Sequence, residues 1–376
     1  MSDEHDDRPL VSVVIPMRNE AGSIGACLET VLAQDYPAEL FEVIVVDGDS
    51  DDASAAVVEE VARRTATSVR VLHNPARIVP PALNLAIRAA RGSVIARVDG
   101  HTRIDSDYVR VGVETLKRTG ADNVGGPMTA VGGGLLGDAV ARVTSSRFGV
   151  GSYFHFGTEE REVDTVYLGM WPRRVFAKIG LFDEELVRNQ DDELNYRLRK
   201  SGGRVLLNPA MRSHYQNRQS LRHLAKQYFQ YGMWKVRVLQ KHPRQMSWRH
   251  FVPPAFVAGV LALGAASPFS PTAAALGATA LLLYLTVIAV LAANLSAKDG
   301  VAAWGAALAA FAIIHLGWGS GFTVGLLRFA PRWWSEEPAP PGLDAPLVAS
   351  RAGAPAGVVE GDRVDGTRKE IRGRAS

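Results

Sequence analysis

VSVVIPMRNEAGSIGACLETVLAQDYP at residues 11–37, followed at 41–52 by FEVIVVDGDSDD, sets the architecture of this chain. Each segment opens on a near-continuous apolar run rich in β-branched residues, as a strand covered on both faces requires. Each run then stops on polar groups: Pro16, Arg18, Asn19 and Glu20 after the first, Asp47, Gly48 and Asp49 after the second. The pattern recurs at RVLHN (70–74) and SVIARVD (93–99), the latter closing on Asp99, Gly100 and His101. Between these runs, residues 22–34, 53–65 and 80–90 carry apolar side chains at three- and four-residue intervals, and Pro80 or Pro81 suits a first helical turn. Alternating strands and helices predict an α/β layered domain around a mostly parallel sheet. Ligands of such sheets collect at the carboxyl ends of the strands, where these polar groups lie.

Composition narrows the function. Of 376 residues, 47% are hydrophobic and 22% charged, which excludes a largely disordered chain, and 36 glycines without a triplet period exclude collagen. The single cysteine, Cys27, permits neither an internal disulfide nor a multi-cysteine zinc site, so it is expected to be buried and structural. PMRNE, not a G-x-G-x-x-G, follows the first strand, which sets aside a nicotinamide-binding dehydrogenase, and there is no P-loop.

The net charge of +3 is unevenly spread. Residues 251–297 and 301–327 contain no charged side chain, with only Lys298 and Asp299 between them. Such stretches exceed the roughly 20 apolar residues that cross a hydrocarbon layer of about 30 Å, so spans are expected near 253–269, 273–293 and 302–324. The first holds Pro253, Pro254 and Pro268 and suits a re-entrant segment equally well. No apolar stretch precedes residue 10, so no cleavable signal peptide is expected and residues 1–250 are assigned to the cytoplasm. From Glu193 to Asp299 there is no acidic residue, whereas basic residues such as Arg212, Arg222, Lys235, Arg237 and Arg249 recur up to the first apolar stretch. Positive-inside bias and binding to anionic headgroups both account for them, while nucleic-acid binding does not, because the run leads straight into apolar spans. A Pro-, Gly- and Ala-rich tail carries Arg351, Arg363, Arg368, Lys369, Arg372 and Arg374. Three spans would put this tail outside, against its charge; two spans and one re-entrant segment would keep it inside.

Four stretches in this order, 10–37, 41–52, 84–102 and 182–203 (FDEELVRNQDDELNYRLRKSGG), resemble family 2 glycosyltransferases of the GT-A fold. The likeness spans residues 10 to about 240. DGH where the family usually has DXD, RNQDDE, and QYFQYGMWKVRVLQKHP (227–243) before apolar spans are most similar to the succinoglycan biosynthesis glucosyltransferase group. The implied organisation is a disordered N-terminus (1–9), a Rossmann-like GT-A domain (10–218), a basic interfacial helix (219–250), a transmembrane region of two or three spans (251–330) and a disordered tail (331–376).

The resemblance also assigns residues. Asp47 accepts a hydrogen bond from the nucleobase, Pro16 and Glu20 line the nucleoside pocket, and Arg77 and Asn84 shape it. A departing diphosphate gathers negative charge as the sugar bond breaks, so a divalent cation suits the step. Asp99 is the expected ligand for Mn²⁺ or Mg²⁺, with His101 in place of the family's second carboxylate and His214 as a further candidate; imidazole donors would favour Mn²⁺. Inversion needs a base opposite the leaving group. Asp191 is that base by resemblance, with Asp192 its competitor, and Gln190 stands where the family has a glutamate. Gln227 and Tyr231 bound a weakened form of the QxxRW motif of processive relatives, lacking its arginine and tryptophan, which points to addition of one sugar per encounter. Leu221, Leu224, Tyr228, Tyr231 and Trp234 fall near helical spacing among basic residues, as in an interfacial helix.

The expected function is transfer of a sugar, glucose, from a UDP-sugar to a polyprenyl-diphosphate-linked saccharide by a multi-pass protein of the bacterial cell membrane. Two alternatives stand beside it: a polyprenyl-phosphate hexose synthase, whose acceptor is a lipid phosphate, and a catalytically silent sugar-nucleotide-binding scaffold.

Overall fold

The computed structural model describes residues 8–150, 152–216, 220–335 and 338–345. The chain runs β1 (Val11–Met17), α1 (Ile24–Leu32), β2 (Phe41–Asp47), α2 (Ser54–Ala62), β3 (Ser68–His73), α3 (Val79–Ala89) and β4 (Val94–Arg97). Next come β5 (Thr102–Ile104), α4 (Tyr108–Thr119), β6 (Asn123–Gly126), β7 (Met128–Val131) and α5 (Gly134–Thr144). The layered domain closes with β8 (Arg161–Glu162), β9 (Tyr167–Pro172), α6 (Arg174–Ile179), α7 (Gln190–Lys200), β10 (Val205–Leu207) and β11 (Ser213–Gln216). Four longer helices follow: α8 (Leu221–Lys241), α9 (Val252–Ala266), α10 (Pro271–Ser296) and α11 (Gly300–Arg328).

Among the described residues the main sheet has the order β3-β2-β1-β4-β9-β6-β10-β8. β1 pairs in parallel with β2 and β4, and β2 with β3, while β9 runs antiparallel to both of its neighbours. The unbroken apolar runs have a simple cause. Alternate β1 residues face opposite layers, so Val11, Val13 and Ile15 enter the core shared with α1 and α4, and Val14 enters the core shared with α3 and α6. Both faces are covered, so both faces must be apolar. A smaller sheet, β5-β11-β7, flanks the cleft. Cys27 is 1% exposed with its thiol pushed up to about 12 by burial, in keeping with a structural role.

Among the described residues three helices are long and apolar enough to cross a membrane: Trp248–Ala266, Pro271–Ser296 and Gly300–Arg328. The helix expected at the membrane interface, α8, is packed more deeply than its sequence suggests. Leu224, Tyr228, Gly232, Lys235, Val236, Arg237 and Val238 are all buried, because one side of α8 lies on α11 and the other on the layered domain. The α8–α11 contact is a glycine seam. A Cβ on Gly321 would run into the carbonyl of Phe229, one on Gly325 would meet that of Met233 at 2.6 Å, and one on Gly232 would strike Trp318. Small residues let two helix backbones approach this closely.

The tail expected to be disordered from 331 is ordered at its start. Ala330–Trp334 forms a 3₁₀ turn, and Pro341 accepts a backbone hydrogen bond of 2.8 Å from Leu181. Residues 1–7 of the expected disordered N-terminus, and the tail arginines from Arg351 on, lie outside the described residues.

Candidate active site

Register brings the chemistry to one sheet edge. Met17 pairs with Asp47 and Val14 with Arg97, so the parallel strands β1, β2 and β4 all release their polar termini on the same side. Asp99 follows β4 by two residues. Arg97, only 5% exposed, donates from Nε to Asp99 Oδ1 at 2.8 Å, and its Nη1 is hydrogen-bonded to Asp191 at the start of α7. One guanidinium therefore ties together two carboxylates 92 residues apart in sequence. An Arg this deep is tolerable only because both ends of its fork are paired.

The three acids at the head of α7 have separated roles. Asp191 faces Arg97 and the cleft. Asp192 Oδ2 accepts from Lys235 Nζ on α8 at 3.0 Å, and buried Glu193 accepts from Arg197 and pairs with His242. Of the three, then, Asp191 is the one turned toward Asp99. Although its side chain is 37% exposed, crowding by the cleft walls pushes its carboxyl up to about 6; Arg97 opposes this, and the charges of Asp99 and Asp192 add to it. A carboxyl near 6 is well suited to take a proton at neutral pH.

At the end of β2, Ser50 fixes the Asp47 carboxylate, donating to Oδ1 from Oγ at 2.5 Å and from its backbone N–H at 3.2 Å. Asn19, Asp49 and Arg77 adopt positive φ, near 55°, 58° and 60°, and the strand-end loops fold sharply over one another. Arg77 donates from Nε to Asp49 at 2.7 Å and sits on the rim. Pro16 is the last residue but one of β1.

Glu20 and His101 are joined, Oε1 to Nδ1, at 2.9 Å. His101 also meets Tyr215 edge-on at 5.2 Å between ring centroids, and Tyr167 lies 6.1 Å beyond Tyr215. Asp99 and His101, two residues apart on one turn, offer an oxygen and an imidazole donor. Among the described residues no three His, Cys, Asp or Glu side chains cluster as a closed metal cage. This donor set fits Mn²⁺ or Mg²⁺ shared with a ligand's diphosphate oxygens, because such ions complete their shell with phosphates and water.

Two expected site residues point elsewhere. Asn84 does not line the nucleoside pocket: it is fully buried, donating from Nδ2 to Phe182 O and Glu184 Oε1 and accepting from Phe182 N at Oδ1, each at 2.9 Å. Its amide is spent on stapling α3 to the segment that leads into Asp191. His214 is not beside Asp99 and His101 as a third metal donor. Its Nε2 pairs with Asp105 at 2.9 Å, and strand alternation sends it to the face of β11 opposite Tyr215, the residue that touches His101. Gln227 Nε2 donates to the Tyr231 hydroxyl at 3.0 Å, and the Tyr231 carbonyl accepts from Asn189, the residue before α7. Together they brace the start of α7, the helix that carries Asp191.

Sequence reasoning missed Arg97, Tyr167 and Tyr215. For Arg97 a signal was present: a charge inside SVIARVD, a run otherwise built for a doubly covered strand, requires a buried counter-charge. The tyrosines carry no comparable mark.

Comparison with known proteins adds independent support. The model of the family described as "Glycosyl transferase family 2" matches residues 12–177. The succinoglycan biosynthesis protein ExoA of Rhizobium meliloti is 32% identical over 247 residues, covering 64% of this chain and 73% of that protein. A dolichyl N-acetyl-α-D-glucosaminyl phosphate 3-β-D-2,3-diacetamido-2,3-dideoxy-β-D-glucuronosyltransferase of Methanococcus voltae is 28% identical over 245 residues, covering 63% of this chain and 76% of that one. Among solved structures, the mannosyltransferase PcManGT of Pyrobaculum calidifontis, in complex with GDP-Man and Mn²⁺, superposes with a TM-score of 0.56 at 21% identity, covering 83% of this chain and 88% of that one. At that identity the likeness speaks for the fold.

Proposed function

The chain belongs to glycosyl transferase family 2, and from that premise we propose that it moves glucose from UDP-glucose to a hydroxyl of a polyprenyl-diphosphate-linked saccharide, with inversion, at the cytoplasmic face of a bacterial membrane. The observation that carries this reading is the Arg97 bridge, which sets a diphosphate-side carboxylate, Asp99, and a proton-accepting carboxylate, Asp191, on opposite sides of one guanidinium.

In this reading Asp47, Pro16, Glu20 and Arg77 hold the nucleoside. Asp99 and His101 would hold Mn²⁺ or Mg²⁺, which when bound offsets the charge on the leaving diphosphate. Asp191 Oδ takes the proton of the acceptor hydroxyl as the new bond forms from that oxygen to the anomeric carbon. The bond from that carbon to the diphosphate oxygen breaks on the opposite face, and its electron pair departs with UDP. Arg97 keeps Asp191 ionised and aimed until the acceptor arrives. Tyr215, edge-on to His101, and Tyr167 behind it wall this side of the cleft. The relatives' names support a lipid-linked acceptor, and so does the seating of apolar helices through α8 against the base-bearing helix α7.

The test is product analysis. Membranes containing the full chain are incubated with labelled UDP- and GDP-sugars and a lipid-diphosphate-linked saccharide, then extracted. Label from UDP-glucose should enter the lipid fraction through a glycosidic bond. A single sugar joined by a phosphodiester would identify a polyprenyl-phosphate hexose synthase instead, and nucleotide binding without turnover would identify a silent scaffold.

A further inference from the structure

We infer that α11, although long and apolar enough to cross a bilayer, does not cross it: the chain enters the membrane as a hairpin of α9 and α10, and α11 lies along the membrane-facing side of the catalytic domain. The segment after α11 is then on the same side as the active site. This goes beyond the proposed reaction and does not depend on which sugar is moved.

Three attachments along α11 carry the inference. At its start, Asp299 pairs with Arg142 of α5, and Arg142 also donates to the carbonyl of Leu295. Midway, His315 Nε2 lies 2.9 Å from the carbonyl of Phe148, just past α5. Beyond its end, Arg332 pairs with Glu185, the carboxylate that also holds Arg237 of α8 at 2.8 Å. Glu185 belongs to the layered domain; Arg142 and Phe148 lie on and just past α5, which sits between β7 and β8 of that domain in the chain and packs Ala139, Val140 and Val143 against α8, α10 and α11. At 29 residues α11 is about 43 Å long. A helix that crosses about 30 Å of hydrocarbon has its two ends in different aqueous compartments, and a folded α/β domain occupies only one of them.

The glycine seam leads to the same result. α8 and α11 run in parallel, Ala225 opposite Gly317 and Gln240 Nε2 donating to Phe329 O at 2.8 Å. Over that stretch α8 is ion-paired to the catalytic domain through Lys235 to Asp192, Arg237 to Glu185 and Lys241 to Asp183. Driving this half of α11 into hydrocarbon would pull those charges in with it, at several kcal/mol per ion. The chain then continues onto the domain: Leu181 N–H donates to Pro341 O at 2.8 Å, and Leu343 packs against the core shared by α3 and α6.

α9 and α10 behave differently. Phe256 stacks near Tyr284 at 4.7 Å, and a Cβ on Gly277 would meet Leu263 at 3.3 Å, so the two form an antiparallel hairpin. Leu261, Phe269, Leu282 and Leu283 on this hairpin are 65%, 89%, 68% and 65% exposed, the surface that lipid would cover. Arg244 and Arg249 precede the hairpin and Lys298 follows it, whereas its turn, 267–270, carries no charge. Basic residues at both mouths place both on the cytoplasmic side.

The test uses the full chain in sealed vesicles of both orientations with a membrane-impermeant maleimide. Ser335→Cys reports the segment after α11 and Ser201→Cys reports the catalytic domain, while native Cys27 is too buried to react. Both positions should label in the same orientation, at least tenfold more than in the other. Labelling of position 335 only where position 201 is protected would overturn the inference. Should either variant fold poorly, trypsin on the unaltered protein gives a second reading: cleavage after Arg328 or Arg332 should occur only in vesicles where the catalytic domain is cut. Release of the whole chain by alkaline carbonate would also overturn it, since no hairpin would then be inserted.

Discussion

On the proposed donor flank of the cleft, β1, β2 and β4 deliver Pro16, Asp47 and Asp99 from neighbouring parallel strands, and each position follows from where an apolar run stops. On the acceptor flank nothing is so regular. Asp191 is held by a guanidinium from β4, an amide on α3 that fixes the preceding loop, a carbonyl on α8 that receives Asn189, and a lysine of α8 that draws Asp192 aside. The donor flank is preset by the sheet; the acceptor flank is assembled from three distant pieces of chain, β4, α3 and α8, the last of them resting on the apolar helices. Transfer between a soluble nucleotide and a lipid-borne acceptor would use such a division, with a rigid pocket on one side and a membrane-coupled base on the other.

Several substitutions can break or sharpen this contrast. Asp191→Asn removes the base without changing shape and should lower kcat about 10³-fold, within the range for loss of a general base, while nucleotide affinity measured by calorimetry stays within about twofold. Equal loss of both would mean that the flanks are not separable. Gly321→Leu should force α8 and α11 apart and cost about 1–3 kcal/mol, read as a lower melting midpoint in detergent, with activity falling as α8 lets go of Asp192.

Acid should act on the same clamp. Burial works against ionising Glu185, but hydrogen bonds from Arg237 and Lys241 hold its carboxyl down to about 2. Its folded pKa lies below the unfolded value of about 4.3, so its stabilisation is complete above that value and is lost as pH falls toward 2. Protease cleavage near α8 should therefore increase below about pH 4, and Glu185→Gln should flatten that rise.

The Arg97 bridge can be tested by pH. Protonating Asp191 removes the base, so kcat/KM should fall as pH drops through about 6. Arg97→Lys keeps the charge but loses the two-pronged grip, so the Asp191 carboxyl should rise and the falling limb move to higher pH. A limb that stays in place would show that Arg97 does not govern the base. The smallest effect is expected from His214→Ala: Mn²⁺ dependence should be unchanged, whereas His101→Ala should raise the Mn²⁺ concentration needed. A matching rise in both would restore His214 as a ligand.

Much of this protein was legible before any coordinates. Continuous β-branched runs mark doubly covered strands because burial on two faces is written in each residue, and the stretches without charge mark helices able to enter lipid for the same local reason. Asp47, Asp99 and Asp191 stand out because they end strands or begin a helix. Asn84 could not be placed from sequence, since its partners at 182 and 184 are about 100 residues away. His214 was misjudged because strand alternation, which sends it to Asp105 and away from His101, matters only once β11 is paired. The packing of α8 was hidden for a related reason: a basic, amphipathic helix looks the same whether its charges face headgroups or buried carboxylates.

The sequence by itself determined the layered domain, the polar strand ends and the apolar character of the last third, all properties that each segment carries alone. Tertiary structure decided which carboxylate faces the cleft, what Arg97 holds together, and which face of the catalytic domain α11 rests on. Those outcomes depend on pairing energies between residues far apart in the chain, and such energies exist only after the backbone has brought the partners within hydrogen-bonding distance.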